Sequence, residues 1–495
     1  MHTWHVYMWA AIHFSAMALL SLYGLHRLWL LACWHIERKR PAQPSLLMPS
    51  RKDLPSVTVQ LPLYNERFVA ARLLDAVAQL DWPGERLEIQ VLDDSTDDTD
   101  KIVDERLEYW QNKGTNIKVI RRQQRDGYKA GALKNGLMQA QGEYIAIFDA
   151  DFLPSAGFLR RAMPHFSDEK VGMVQARWDF LNSGYSWLSG VQSLLLGPHF
   201  SIEHWVRYKR GLFFNFNGTA GIWRAKAIQS AGGWQSDTVT EDLDLSYRAQ
   251  LSGWRSVYLE DLVVPSELPV TLAAFRSQQQ RWAKGSIQTA RKILPRLLLS
   301  PLRFAIKIEA AAHLLANFGW LLGALVALTL NPTVMWRVGI GPYQLLRIDL
   351  PLLFCTSLAI LCYFFTYALN QKSKISLVHC LLLPIFSIGL APSIALSVLS
   401  GVFSRGGVFE RTPKFGVAGQ GRLPRLAFVY RQRRILYVVI EAVLFAYSLM
   451  PLAFAWQRGT WLAMPFIVLF PLGFLTVLVN DLKGNLSKRE TVNRN

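Results

Sequence analysis

IAIFDADFLP, residues 145–154, sets an apolar run against two carboxylates one residue apart, Asp149 and Asp151. The apolar half has the composition of a fully buried strand. A strand interior cannot hold the acidic half, because like charges repel and desolvation is costly. The strand therefore ends there and presents the pair at its carboxyl end. Working outward, VTVQLP (57–62), LEIQVLDD (87–94), IKVI (117–120), EYIAIFDAD (143–151) and GMVQARW (172–178) read as short strands. Helical stretches at 68–80 and 101–113 lie between them, the second opened by the cap-rich Ser95-Thr96-Asp97-Asp98-Thr99. Strands alternating with helices predict an open α/β sheet with its ligand at the strands' carboxyl ends. Three strands end in polar groups, Tyr64-Asn65-Glu66, Asp93-Asp94 and Asp149-x-Asp151. Turn chemistry explains any one of these; three at one sheet edge point to a site. Paired carboxylates without Cys or His nearby suit a hard cation shared with substrate phosphates.

The rest of the chain belongs to a membrane. It has 495 residues, 51% of them hydrophobic, and a formal net charge of +18. Residues 6–25 contain no Lys, Arg, Asp or Glu, are long enough to cross a bilayer, and precede Arg38-Lys39-Arg40. Further apolar runs cover 304–330, 350–369, 376–403, 435–456 and 461–479. A charge at midspan costs about 2.5–3.5 kcal/mol on the insertion scale, so such charge-poor runs read as membrane segments. The basic clusters 38–40, 121–125 and 431–434 read as topology signals on the cytosolic side, and no nucleic-acid partner is expected. All four cysteines lie in apolar segments, leaving no disulfide framework for the intervening domain. If 376–403 crossed, the basic loop after it would fall outside. Pro384, Gly389 and Pro392 interrupt that run, which reads as an interfacial or re-entrant helix pair. The predicted organisation is an anchor (1–40), a cytosolic catalytic domain (41–283), interfacial amphipathic helices broken at Pro295 and Pro301 (284–303), and a membrane pair (304–370). An interfacial segment with a loop (371–434), a final hairpin (435–480) and a cytosolic tail (481–495) complete it.

The acidic pairs keep company with Thr240-Glu241-Asp242, Gln278-x-x-Arg281-Trp282, DGYKAGALK (126–134), QARW (175–178) and FNFNGTAGIWR (214–224). This set resembles the family-2 inverting glycosyltransferases of the cellulose synthase superfamily, and looks most like the mannan and glucan synthase-like branches. The likeness covers 55–300 and extends to FERTPKFG (409–416), which is similar to a gating-loop motif except that Arg411 stands where valine is usual. It implies an α/β domain of GT-A type with a mixed open sheet, inserted between transmembrane helices, with about five crossings plus interfacial helices.

The resemblance assigns roles residue by residue. Asp151 and Asp149 would bind Mg2+ or Mn2+, with Asp149 also on the donor. Tyr64, Glu66, Asp93, Asp94, Lys129, Gln278 and Arg281 would hold the nucleotide sugar, Arg281 clamping its diphosphate. Asp242, with Glu241 beside it, would be the general base. Trp282, Asn217 and Gly218 would meet the acceptor, and Phe409, Arg411, Thr412 and Lys414 would form the gating loop. The expected activity is processive extension of a β-linked polysaccharide in the bilayer, with UDP-glucose as first-choice donor and a glucan as product. GDP-mannose with a (gluco)mannan, and a non-processive glycolipid glucosyltransferase, are the alternatives.

Overall fold

The central apolar runs form the middle of one seven-stranded sheet. Its strands are β1 (Val57–Leu63), β2 (Leu87–Asp93), β3 (Ile117–Ile120), β4 (Tyr144–Ile147), β5 (Val171–Phe180), β6 (Gly221–Arg224) and β7 (Arg255–Ser266), in the order β3-β2-β1-β4-β6-β5-β7. The computed structural model describes residues 3–40, 54–340, 342–371, 377–408, 410–417, 435–459 and 461–492. β1 pairs in parallel with β2 and β4, and β2 with β3, whereas β6 runs antiparallel to both β4 and β5. Helices cover both faces, so Val59, Leu61, Ile145 and Ile147 are fully buried and the strands read as continuous hydrophobic runs. Five of the strands were legible in the sequence. β6 is four residues long and shows no periodicity, and β7 carries Glu260-Asp261 at an irregularity where its register with β5 slips. β4 closes at Ile147, so Asp149 and Asp151 stand in the turn just beyond it.

One core lies between the sheet and helix Ala70–Ala78, through Leu73, Leu74 and Val77. The core on the opposite face takes in Leu30 and Trp34 of the N-terminal helix Thr3–Arg38. Trp34 Nε1 donates to the Ser201 carbonyl at 3.1 Å, and Arg38 pairs with Glu260 at 2.8 Å. The anchor is thus built into the domain. A buried charge network reinforces the joint. Glu203 accepts from Arg27, from Arg207 at 3.1 Å and from Tyr363 Oη at 3.1 Å, while Glu309 accepts from Arg207 Nε at 2.9 Å and meets His26 Nε2 at 2.8 Å. Removing one member of such a network leaves a buried charge uncompensated, which costs about 3–5 kcal/mol.

Six described helices are long and apolar enough to cross a membrane: Tyr7–Arg38, Phe318–Arg337, Leu350–Asn370, Leu377–Phe403, Ile435–Gln457 and Met464–Lys483. Three expectations need correction. The 304–330 run divides into helices Phe304–Leu315 and Phe318–Ile340, and only the second contributes a candidate span. The amphipathic stretch at 284–303 belongs to one helix, Leu272–Leu299, that starts earlier and runs through Pro295. A proline removes one hydrogen bond there, but Ile287, Ala290, Ile293 and Leu297 stay buried along one face and hold the helix on course. Leu377–Phe403 is likewise a single helix despite Pro384 and Pro392. Its beginning places the His379 ring against Gly190, its middle stacks Phe386 on Phe275 at 5.5 Å, and its end lays Gly401 on Lys284. Just past it, the Gly406 N–H donates to the Asp237 carbonyl at 2.7 Å. Both ends therefore rest against the sheet domain, and the six candidate helices are consistent with about five crossings.

Candidate active site

A cleft opens at the carboxyl ends of β1, β2 and β4. Tyr64 and Glu66 enter it after β1, Asp94 after β2, and Asp149 and Asp151 after β4. Asn217 and Gly218 reach it just before β6, Lys129 from helix Tyr128–Met138, and Glu241 and Asp242 from the first turn of helix Glu241–Leu251. Gln278, Arg281 and Trp282 project from Leu272–Leu299, and Arg411, Thr412 and Lys414 descend from the loop 410–417. Asp93 does not join them. Neighbouring strand residues face opposite sides, and Asp93 turns inward to accept from the Ser95 N–H at 3.0 Å and pair with Arg121 at 3.1 Å. Phe409 lies outside the described residues.

Positive charge is placed against each carboxylate. Lys129 Nζ donates to Asp149 Oδ1 at 2.5 Å and to the Gly218 carbonyl at 2.9 Å. Burial opposes the charge on Lys129, but Asp149 and Glu241 outweigh it and hold its pKa above the ordinary value. Asp151 Oδ2 accepts from the Glu267 N–H at 3.0 Å and from Lys414 Nζ at 2.7 Å. Asp94 is gripped by Arg122, with Nε on Oδ1 at 3.0 Å.

Asp242 is mounted stiffly. At the start of its helix Oδ1 accepts the Leu243 N–H at 2.8 Å, where a carboxylate is favoured. Oδ2 lies beside Gly218, whose φ of +79° and lack of a side chain permit the approach; a Cβ there would sit 2.7 Å from that oxygen. Burial raises the Asp242 carboxyl, against the pull of Lys129 and Arg281. Burial, and then the adjacent Asp242, push Glu241 up to about 7. Gly285 lets helix Leu272–Leu299 close on Thr240, since a Cβ there would stand 2.4 Å from Thr240 Cγ2. Arg281 and Trp282 of that helix share the cleft with Asp242. Burial depresses the Arg281 pKa, while Glu241, Asp242 and Asp149 counter the shift. Gln278 Oε1 is buried with no hydrogen-bond partner among the described residues, an acceptor ready for a ligand hydroxyl.

The loop 410–417 is bolted down by Glu267, which the sequence reading missed. Its carboxylate accepts the N–H groups of Phe415 at 2.8 Å and Val417 at 3.1 Å, and its carbonyl accepts Lys414 Nζ at 2.5 Å. Arg411 pairs with Glu66 at 3.1 Å and donates to the Asn65 carbonyl. Burial drives Glu66 up to about 8 despite Arg411. Glu267 follows β7, so the strand-end signal that marked the other acids applied to it too; the unrecognised strand concealed it. Arg125, also missed, lines the cleft over the Tyr64 ring.

Asp149 and Asp151 fit one hard divalent cation in donor chemistry: oxygen ligands on one turn, each already satisfied by an ammonium group that stands in for positive charge. No group of three or more His, Cys, Asp or Glu converges among the described residues. Asp149 and Asp151 would hold such an ion, with phosphate and water free to supply the remaining oxygens.

Residues 55–285 match the family described as "Glycosyltransferase like family 2". The chain is 49% identical over 247 residues to glucomannan 4-beta-mannosyltransferase 2 of Arabidopsis thaliana, covering 49% of this chain and 46% of the relative. It is 45% identical over 271 residues to glucomannan 4-beta-mannosyltransferase 1 of Oryza sativa subsp. japonica, covering 53% and 51%. The chain thus spans about half the length of the curated relatives it matches. In three dimensions it resembles a mannosyltransferase from Pyrobaculum calidifontis, solved in complex with GDP-Man and Mn2+. The TM-score is 0.55 at 20% identity, over 79% of this chain and 99% of the other, a likeness of fold. Across residues 55–285 the chain is thus similar to the family described as "Glycosyltransferase like family 2" and to the glucomannan 4-beta-mannosyltransferases.

Proposed function

We propose that this protein is a membrane-embedded, processive, inverting β-mannosyltransferase that extends a β-1,4-linked mannan or glucomannan from GDP-mannose, with its catalytic domain on the cytosolic face. The observation that carries the reading is the single cleft holding Asp149, Asp151, Asp242, Arg281 and Trp282 beneath a loop anchored by Glu267. The mannose preference replaces the UDP-glucose preference of the sequence reading, because the 44–49% identical relatives are glucomannan 4-beta-mannosyltransferases.

The acceptor hydroxyl oxygen attacks the anomeric carbon as the bond from that carbon to the diphosphate oxygen breaks, inverting α to β. The hydroxyl proton passes to Asp242, whose Oδ2 is left for it while Oδ1 is occupied by Leu243. The diphosphate departs with added negative charge, which Lys129 and Arg281 stabilise. A divalent ion on Asp149 and Asp151 would supply further electrostatic stabilisation of that leaving group. Trp282 offers its ring face to the terminal sugar of the acceptor. Processivity is supported by the far side of the cleft, where Trp178, Phe180 and Leu196 lie. Leu196 belongs to helix Trp187–Pro198, against whose Gly190 and Gly197 the membrane-unit residues His379 and Tyr367 pack.

The test is purified protein in lipid given radiolabelled GDP-mannose or UDP-glucose, followed by linkage-specific glycanases. Mannose incorporation into polymer released by an endo-β-1,4-mannanase is expected. Glucose incorporation alone, into β-glucanase-sensitive product, would overturn the donor assignment.

A further inference from the structure

The last member of the basic cluster 121–125, Arg125, lines the cleft. The Arg125 guanidinium lies 3.4 Å from the Tyr64 ring centroid and 5.0 Å from that of Tyr128. Its Nε approaches Asp94 Oδ2 only to 4.0 Å. Nε is closed off from solvent without a hydrogen-bond partner. Arg121 and Arg122, by contrast, are spent on Asp93, Asp104 and Asp94 and on the carbonyls of Asp100, Asp126 and Tyr128. Arg125 therefore brings a guanidinium held only by a 4.0 Å ion pair with Asp94 and by ring contacts to the cleft wall, and it lies over a face of the Tyr64 ring.

We infer that Arg125 is a specificity-determining residue that reads the base of the donor and selects guanine over uracil. This rests on the GDP-mannose reading above. Guanine presents two adjacent acceptors, O6 and N7, which match two N–H groups of one guanidinium; a pyrimidine has no such pair. The larger purine also gains more from stacking beside the Tyr64–Arg125 layer. Lysine substitutes poorly, because an ammonium lacks the planar fork.

Nucleoside diphosphate affinities measured by calorimetry on the full chain in detergent–lipid micelles test this. GDP, UDP and 7-deaza-GDP, which lacks the N7 acceptor, are compared on wild type, Arg125→Ala and Arg125→Lys. Wild type should bind GDP more tightly than UDP. Either substitution should weaken GDP about tenfold and leave UDP within about twofold. Wild type should also bind 7-deaza-GDP more weakly than GDP, a comparison that does not depend on how the variants fold, and the difference should disappear in Arg125→Ala. A wild-type preference for UDP would overturn the donor reading itself. A guanine preference retained in Arg125→Ala, or 7-deaza-GDP bound by wild type as tightly as GDP, would overturn the role of Arg125 and leave the donor reading standing.

Discussion

Lys414 Nζ lies 2.7 Å from Oδ2 of Asp151, the carboxylate assigned to the metal. An ammonium and a divalent ion compete for the same oxygen, so the loop and the ion are coupled. Lys414→Met should lower the Mn2+ concentration giving half-maximal turnover, by about three- to tenfold, whatever its effect on maximal rate. Chelator should abolish incorporation in both proteins, and Mg2+ or Mn2+ should restore it. Full activity in chelator would remove the metal from the account, and an unchanged metal requirement in Lys414→Met would uncouple the loop.

The pH profile should report the half-buried base Asp242. Asp242 must be ionised to accept a proton, and burial raises its pKa, so activity is lost as pH falls through that raised value. The acid limb of kcat/KM at saturating metal should therefore stand above the ordinary aspartate pKa of about 3.9. An acid limb at or below that ordinary value would contradict the raised pKa.

Trp282 separates polymer synthesis from single-sugar transfer. If its indole holds the terminal sugar while the nucleotide exchanges, Trp282→Ala should shorten the product more than it weakens donor binding. Stacking of this kind is worth about 0.5–1.5 kcal/mol beyond burial, up to roughly tenfold in retention. Gel filtration of the extracted polymer checks this. A wild-type product that partitions into organic solvent carrying one sugar would contradict processivity.

Part of the site was legible because Glu66, Asp94, Asp149 and Asp151 follow strand ends, where carboxylates have no packing role. Asp93 shows the limit of that signal: it shares a strand end with Asp94, but the pleat sends the two side chains opposite ways, and composition does not record which one faces the cleft. Glu267 was hidden by β7, whose alternation is broken by Glu260-Asp261. Arg125 was hidden by its neighbours, since three arginines in five residues look alike until their partners are known. The proline-containing helices Leu272–Leu299 and Leu377–Phe403 run unbroken because burial along one face outweighs a missing hydrogen bond, a tertiary effect that local signals do not carry.

The most direct test of the central claim, base-assisted glycosyl transfer in this cleft, is Asp242→Asn measured for turnover and for nucleotide affinity in the same preparation. An amide keeps the shape and the Leu243 contact but cannot take the acceptor proton. Turnover should fall at least 10²-fold, about the lower bound for losing a general base, while nucleotide affinity stays within about twofold. Unchanged turnover in Asp242→Asn would contradict the account.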